Sequence, residues 1–122
     1  MSNFRYYNRN PDGKHLEDCV CRAISTVSGM KYETVEQLLK ATAIEYDCPE
    51  LCVCCYHNLI EEMLGYELLD EWGMTAGEFA KAHPKGTYLL RMDGHITTCI
   101  DGEIWDIWNC SRRIVTHCWY VG

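Results

Sequence analysis

Apolar positions recur at helical spacing through the first two thirds of the chain and then change to strand-like runs. Val20, Ala23, Ile24 and Val27 stand at i, i+3, i+4 and i+7, one stripe of a helix. Asp18 precedes the stripe as an N-cap and Gly29 follows it as a C-terminal cap. A second helix is predicted over 32–46, with Val35, Leu38, Leu39 and Thr42 on its inner face, and Cys48-Pro49 interrupts it. A third is predicted over 51–64, closed by Gly65. Thr75 and Glu78 have the spacing of a capping box and open a short helix that stops before Pro84. Four runs, 86–91, 95–100, 103–108 and 114–121, then read as strands. Asp93-Gly94 and Asp101-Gly102 separate the first three as hairpin turns, since both turn residues tolerate positive φ. Residues 1–17 carry no periodic pattern, and Asn10-Pro11-Asp12-Gly13 is turn chemistry. The expectation is one α+β domain over 1–122. It has an irregular 1–17, a mainly helical 18–83, and a C-terminal antiparallel sheet over 86–121 on which the N-terminal helices pack.

The hairpin at Asp101-Gly102 carries a register. A two-residue loop pairs Ile100 with Glu103, Cys99 with Ile104, Thr98 with Trp105 and Thr97 with Asp106, which sets His95 opposite Trp108. His95, Thr97, Asp106 and Trp108 then share one face. Diagonal neighbours on such a face lie about 7 Å apart at the backbone, within side-chain reach. Asp106 is therefore expected to accept the Nδ1–H of His95, leaving Nε2 as a base, with the Trp108 indole screening the bond from water. Asn109 has the opposite parity and ranks second to Asp106 as the orienting group. Asp is depleted in strands, which makes Asp106 conspicuous. Cys19 opens the first helix, where the positive end of the dipole favours a thiolate and first-turn N–H groups face a bound anion. Cys21 lies deeper in the helix, where that influence fades. Cys19, His95 and Asp106 thus form a candidate nucleophile, base and orienting acid.

Composition removes several classes. At 122 residues and 48% hydrophobic the chain supports one core. A net charge of -7 disfavours a nucleic-acid partner, and Arg5, Arg9 and Lys14 read as a solvated segment. Neither a leader-like apolar run nor a membrane-length span occurs, so a cytoplasmic protein without membrane contact is expected. Nine cysteines in such a setting are free thiols, metal ligands or nucleophiles. Cys48, Cys52, Cys54, Cys55 and His57 fall within ten residues but lack paired C-x2-C spacing, and Cys110, His117 and Cys118 form a looser group. Free thiols are the favoured reading for both groups, with no metal and no cofactor. Trp72, Trp105, Trp119 and Tyr88 are expected to pack in the core or on the sheet, and Arg112-Arg113 to form a solvated turn.

The order of helix-opening cysteine, strand histidine and Asp on the next strand resembles papain-like cysteine peptidases. Residues 18–24, 93–97 with Asp101-Gly102, and 106–111 resemble a group of small bacterial and phage proteins assigned to that fold, and the likeness spans about residues 5–121. It implies thiol-based acyl chemistry on a protein or peptide substrate, as in peptidases, isopeptidases and amidases, through a thioester. The chain departs from the pattern in two places: no Gln precedes Cys19, with Asn10 standing in as the candidate second oxyanion donor, and Val20 replaces the usual Trp. Two other classes remain open: a catalytically idle papain-like scaffold, phage-encoded, that binds or inhibits another protein, and a zinc-binding module.

Overall fold

The computed structural model describes residues 4–9, 18–49 and 52–122. The expected turn at 10–13, the start of the third helix at Leu51, and the residues Asn10 and Lys14 lie outside the described residues. In chain order the elements are β1 (Phe4–Tyr6), α1 (Cys19–Ser28), α2 (Tyr32–Tyr46), α3 (Val53–Asn58) continued by a π-helical stretch (Leu59–Met63), β2 (Glu67–Leu68), α4 (Ala76–Ala82), β3 (Thr87–Met92), β4 (His95–Ile100), β5 (Glu103–Asp106) and β6 (Val115–Tyr120). The class is α+β, with the described strands in one six-stranded sheet of order β1-β5-β4-β3-β6-β2. No helix of the described residues is long and apolar enough to cross a membrane.

The hairpin joining β4 to β5 has the expected register: Thr98 faces Trp105, Cys99 faces Ile104 and Ile100 faces Glu103. Asp101 and Gly102 take φ of 47° and 81°, the positive pair such a loop demands. The Asp101 side chain accepts the Gly86 N–H at 2.9 Å, tying the turn to the start of β3.

Three features differ from expectation. The sheet is mixed, because β1 adds in parallel to β5, with Tyr6 opposite Asp106. β6 does not follow β5 outward but returns to β3, where Leu90 meets Cys118 and Leu89 meets Trp119. That choice buries both sides of β6: Val115 and Cys118 enter one core cluster, and Trp119 enters the other. Finally, β5 ends at Asp106, so Trp108 lies past the strand.

Helices cover both faces of the sheet. Ile24, Val35, Leu39, Leu59 and Ile60 from α1, α2 and the π-helical stretch pack with Leu89, Ile96 and Trp119. On the other face Ala76, Phe79 and Ala80 of α4 pack with Leu90, Met92, Cys99, Ile104 and Cys118. α4 opens with the expected capping box between Thr75 and Glu78. Burial of Trp119 and Tyr88 agrees with the sequence reading, but Trp72 is 70% exposed and belongs to no core. Of the N-terminal basic residues, Arg5 is exposed but lies 4.8 Å over the Trp105 ring, and Arg9 donates to the Met30 carbonyl at 3.1 Å.

Candidate active site

α1 presents its N-terminus beside the first residues of β4. Asp18 occupies the N-cap position, but its side chain makes no cap hydrogen bond. Its carboxylate turns instead to the Arg22 guanidinium and to the Tyr32 hydroxyl, which donates at 2.6 Å. The first-turn N–H groups, which have no carbonyl partner within a helix, are therefore not claimed by the side chain at the cap. Arg22 reaches further. Its Nη2 lies 3.7 Å from Asp106 Oδ1, so one buried cation joins two carboxylates from distant parts of the chain.

His95 and Asp106 meet as the register requires, with side chains only 7% and 4% exposed. The nitrogen involved differs from expectation. Nε2, not Nδ1, contacts Asp106 Oδ2, at 2.7 Å. The carboxylate thus meets the far nitrogen of the ring, and Nδ1 takes no part in this bond. The carboxylate is further held by the Ile107 N–H, donating to Oδ1 at 2.7 Å. Tyr7 of the segment after β1 donates its backbone N–H to the Asp106 carbonyl at 2.9 Å, fixing the end of β5. Cys110 is buried and donates its thiol to Asp106 Oδ2 at 3.7 Å. The Trp108 ring stands 4.7 Å from the imidazole, centroid to centroid, so it flanks His95 from the loop instead of from a paired strand position.

Electrostatics favour an ion pair. Burial opposes ionisation of Cys19, but a hydrogen bond with His95, the Ile96 backbone N–H and the imidazolium charge outweigh it, and its pKa falls below the ordinary thiol value. For His95, burial acts to lower the pKa. The Asp106 hydrogen bond, with Cys110 and Cys19, reverses that and raises it to about 11. Burial likewise disfavours the Asp106 carboxylate, but the His95 hydrogen bond brings its pKa below the usual value.

The cleft beside this set has a volume of about 750 Å³. Cys19 and His95 line it together with Tyr56, Arg91, Trp108 and Arg113. Arg113 is not merely a solvated turn: its guanidinium donates to the Asp93 carbonyl at 2.6 Å and lies 6.0 Å over the Trp108 ring.

Of the other sequence candidates, Asn109 accepts the Ser111 N–H at 3.1 Å within an exposed turn. Cys21 is buried in the helical core cluster and does not line the cleft of Cys19 and His95. Asn10 lies outside the described residues. His95, Asp106 and Cys110 place donor atoms within 4.8 Å of one another, but the 2.7 Å hydrogen bond already fills the gap between two of them. Arg22 has no role in the sequence reading, and Cys110 enters it only as part of a loose Cys/His group, not as a partner of Asp106. Arg22 had one available signal, an Asp four residues before it on a helix, which usually marks only a surface pair.

The buried pair predicts a pH profile for folding. His95, raised from 6.5, contributes stability that is full below its unfolded value and declines as pH rises toward about 11. Asp106, lowered from 3.8, contributes stability that is present above that value and lost as pH falls through its folded value. The urea midpoint should therefore decline on both sides of the interval between 3.8 and 6.5. In His95→Gln the alkaline decline should flatten. An unchanged alkaline limb in that variant would show that the pair is not the cause. No family model matches the chain, and no curated protein or solved structure shows significant similarity to it.

Proposed function

We propose that the chain is a papain-like thiol hydrolase that cleaves an amide bond in a protein or peptide. The observation that carries the reading is the Cys19 thiol at the opening of α1, which lines one cleft with His95 and whose pKa His95 lowers, while the imidazole Nε2 binds Asp106 at 2.7 Å. The chain order of the three groups, and the packing of the cysteine-bearing helix on the strand that bears the histidine, support the same reading.

The reaction follows from these groups. The Cys19 thiolate adds to the carbonyl carbon, and an S–C bond forms as the carbonyl π pair moves to oxygen. The backbone N–H of Cys19, at the first helical position, donates to that oxyanion. His95 passes its proton to the leaving nitrogen, the C–N bond breaks, and a thioester remains. Water then attacks the thioester. His95 takes its proton, the C–S bond breaks, and the acid leaves with the thiolate restored. Asp106 holds the imidazole in place throughout and stabilises its charge.

The test is competitive alkylation of the reduced protein by iodoacetamide, followed site by site by mass spectrometry. Cys19 should react faster than glutathione near neutral pH, and an aldehyde- or fluoromethylketone-bearing peptide should label it alone among the nine cysteines. Slow, uniform modification of all thiols would discard the enzyme in favour of a binding scaffold.

A further inference from the structure

We propose that Cys48, Cys52 and Cys54 form a surface site for one thiophilic divalent cation, zinc above all. The three sulfurs lie within 4.8 Å of one another, and those of Cys52 and Cys54 approach to 2.7 Å. Zinc–sulfur bonds of about 2.3 Å in a tetrahedron put neighbouring sulfurs about 3.8 Å apart, so one ion spans this group.

The backbone builds the arrangement. Asp47 takes φ of 51° and reverses the chain after α2, while the Cys48 N–H returns to the Ala43 carbonyl at 3.0 Å. The Cys52 N–H donates to the Pro49 carbonyl at 3.1 Å. The Cys52 sulfur accepts the Cys55 N–H at 3.3 Å, a bond that favours the thiolate a metal requires. Cys55 supplies the contrast. It is fully buried and directs its thiol to the Leu39 carbonyl, as a thiol acting as a small apolar residue does. The three ligands do the opposite: each is half-buried or exposed, and they turn toward one another. Their spacing, C-x3-C-x-C, is not the C-x2-C that usually signals zinc, which is why the cluster reads as free thiols from sequence. Binding breaks up to three S–H bonds, releases those protons to solvent and forms three S–Zn bonds, with no change of oxidation state. Solvent water would complete a four-coordinate shell, since Cys54 is exposed.

The experiment uses the full chain, reduced and stripped with a chelator, then titrated anaerobically with Co²⁺ and afterwards with Zn²⁺. One equivalent of Co²⁺ should give a sulfur-to-cobalt charge-transfer band, which Zn²⁺ then abolishes. Cys48→Ser and Cys54→Ser should each weaken Zn²⁺ binding about 100-fold or more, since loss of a direct ligand exceeds the loss of an outer partner. Cys19→Ser should keep the band, which separates this site from the proposed nucleophile. Should a serine variant fail to fold by circular dichroism, the wild-type chain still decides: Zn²⁺ should protect Cys48, Cys52 and Cys54 from iodoacetamide while Cys118 is unchanged. No cobalt–thiolate band, a band that survives in the folded Cys48→Ser/Cys54→Ser double variant, or no protection in the wild-type chain would each overturn the proposal. Formation of a Cys52–Cys54 disulfide in a chain that binds no metal would replace it with a redox pair.

Discussion

A His95→Ala chain is expected to alkylate Cys19 about tenfold more slowly than the wild type at about pH 6, and to catch up with it at about pH 9. The magnitude comes from two opposed effects. Without the imidazolium, Cys19 moves toward an ordinary thiol value of about 8.5, and at about pH 6 only ~0.3% of it is then thiolate. The loss in thiolate fraction approaches 300-fold if the wild-type group is fully ionised there. A less acidic thiol is a better nucleophile once ionised, with a Brønsted slope of about 0.4–0.5, and that returns part of the rate. Amide cleavage should suffer more, by about 10²–10⁴-fold, because the leaving nitrogen also loses its proton donor. The crossing of the two pH profiles is the signature. An identical profile in the variant would mean that Cys19 owes its acidity to the Ile96 N–H and the helix end, and that His95 takes no part. Asp106→Asn should fall between, since it keeps the contact to Nε2 but removes the charge that holds the imidazole protonated.

What could be read from sequence was what local chemistry dictates. Asp101-Gly102 demands a tight hairpin, and counting back from it brings His95 and Asp106 to one place. Gly29, in a left-handed conformation, ends α1 where the apolar stripe ends. The ring nitrogen was not readable, because register fixes which residues face each other but not the torsions that aim a side chain. β1 was invisible for a different reason. Three residues paired in parallel need a long crossover, so no turn announces them. The return of β6 to β3 is likewise a choice between distant partners. It is made by burial of Val115, Cys118 and Trp119 on both faces rather than by any turn. The links between Asp18, Arg22 and Asp106 combine both problems: a helical pair that resembles a surface bridge becomes buried only because β5 delivers a second carboxylate.

That bridge supports the second large expectation. Arg22→Met should cost about 3 kcal/mol of folding stability, the lower end for breaking a buried charged set, since Asp106 keeps His95 as a partner. Urea unfolding reads it directly, and a change within about 0.5 kcal/mol would show the bridge to be dispensable. The same substitution has a chemical consequence. Freed from Arg22, the Asp18 carboxylate stands one residue before Cys19 at the cap position, where a carboxylate accepts first-turn N–H groups. It would then take the Val20 or Cys21 N–H at the helix end and place a negative charge beside the thiolate. The acid limb of Cys19 alkylation should move to higher pH. Arg22→Lys keeps the charge but offers a single ammonium where a planar fork now spans two carboxylates, so it should restore part of the stability and little of the alkylation profile. If Arg22→Met loses stability but leaves the alkylation profile unmoved, Arg22 only supports the fold. If the profile shifts and adding Asp18→Asn moves it back, Arg22 keeps the Asp18 charge away from the thiolate.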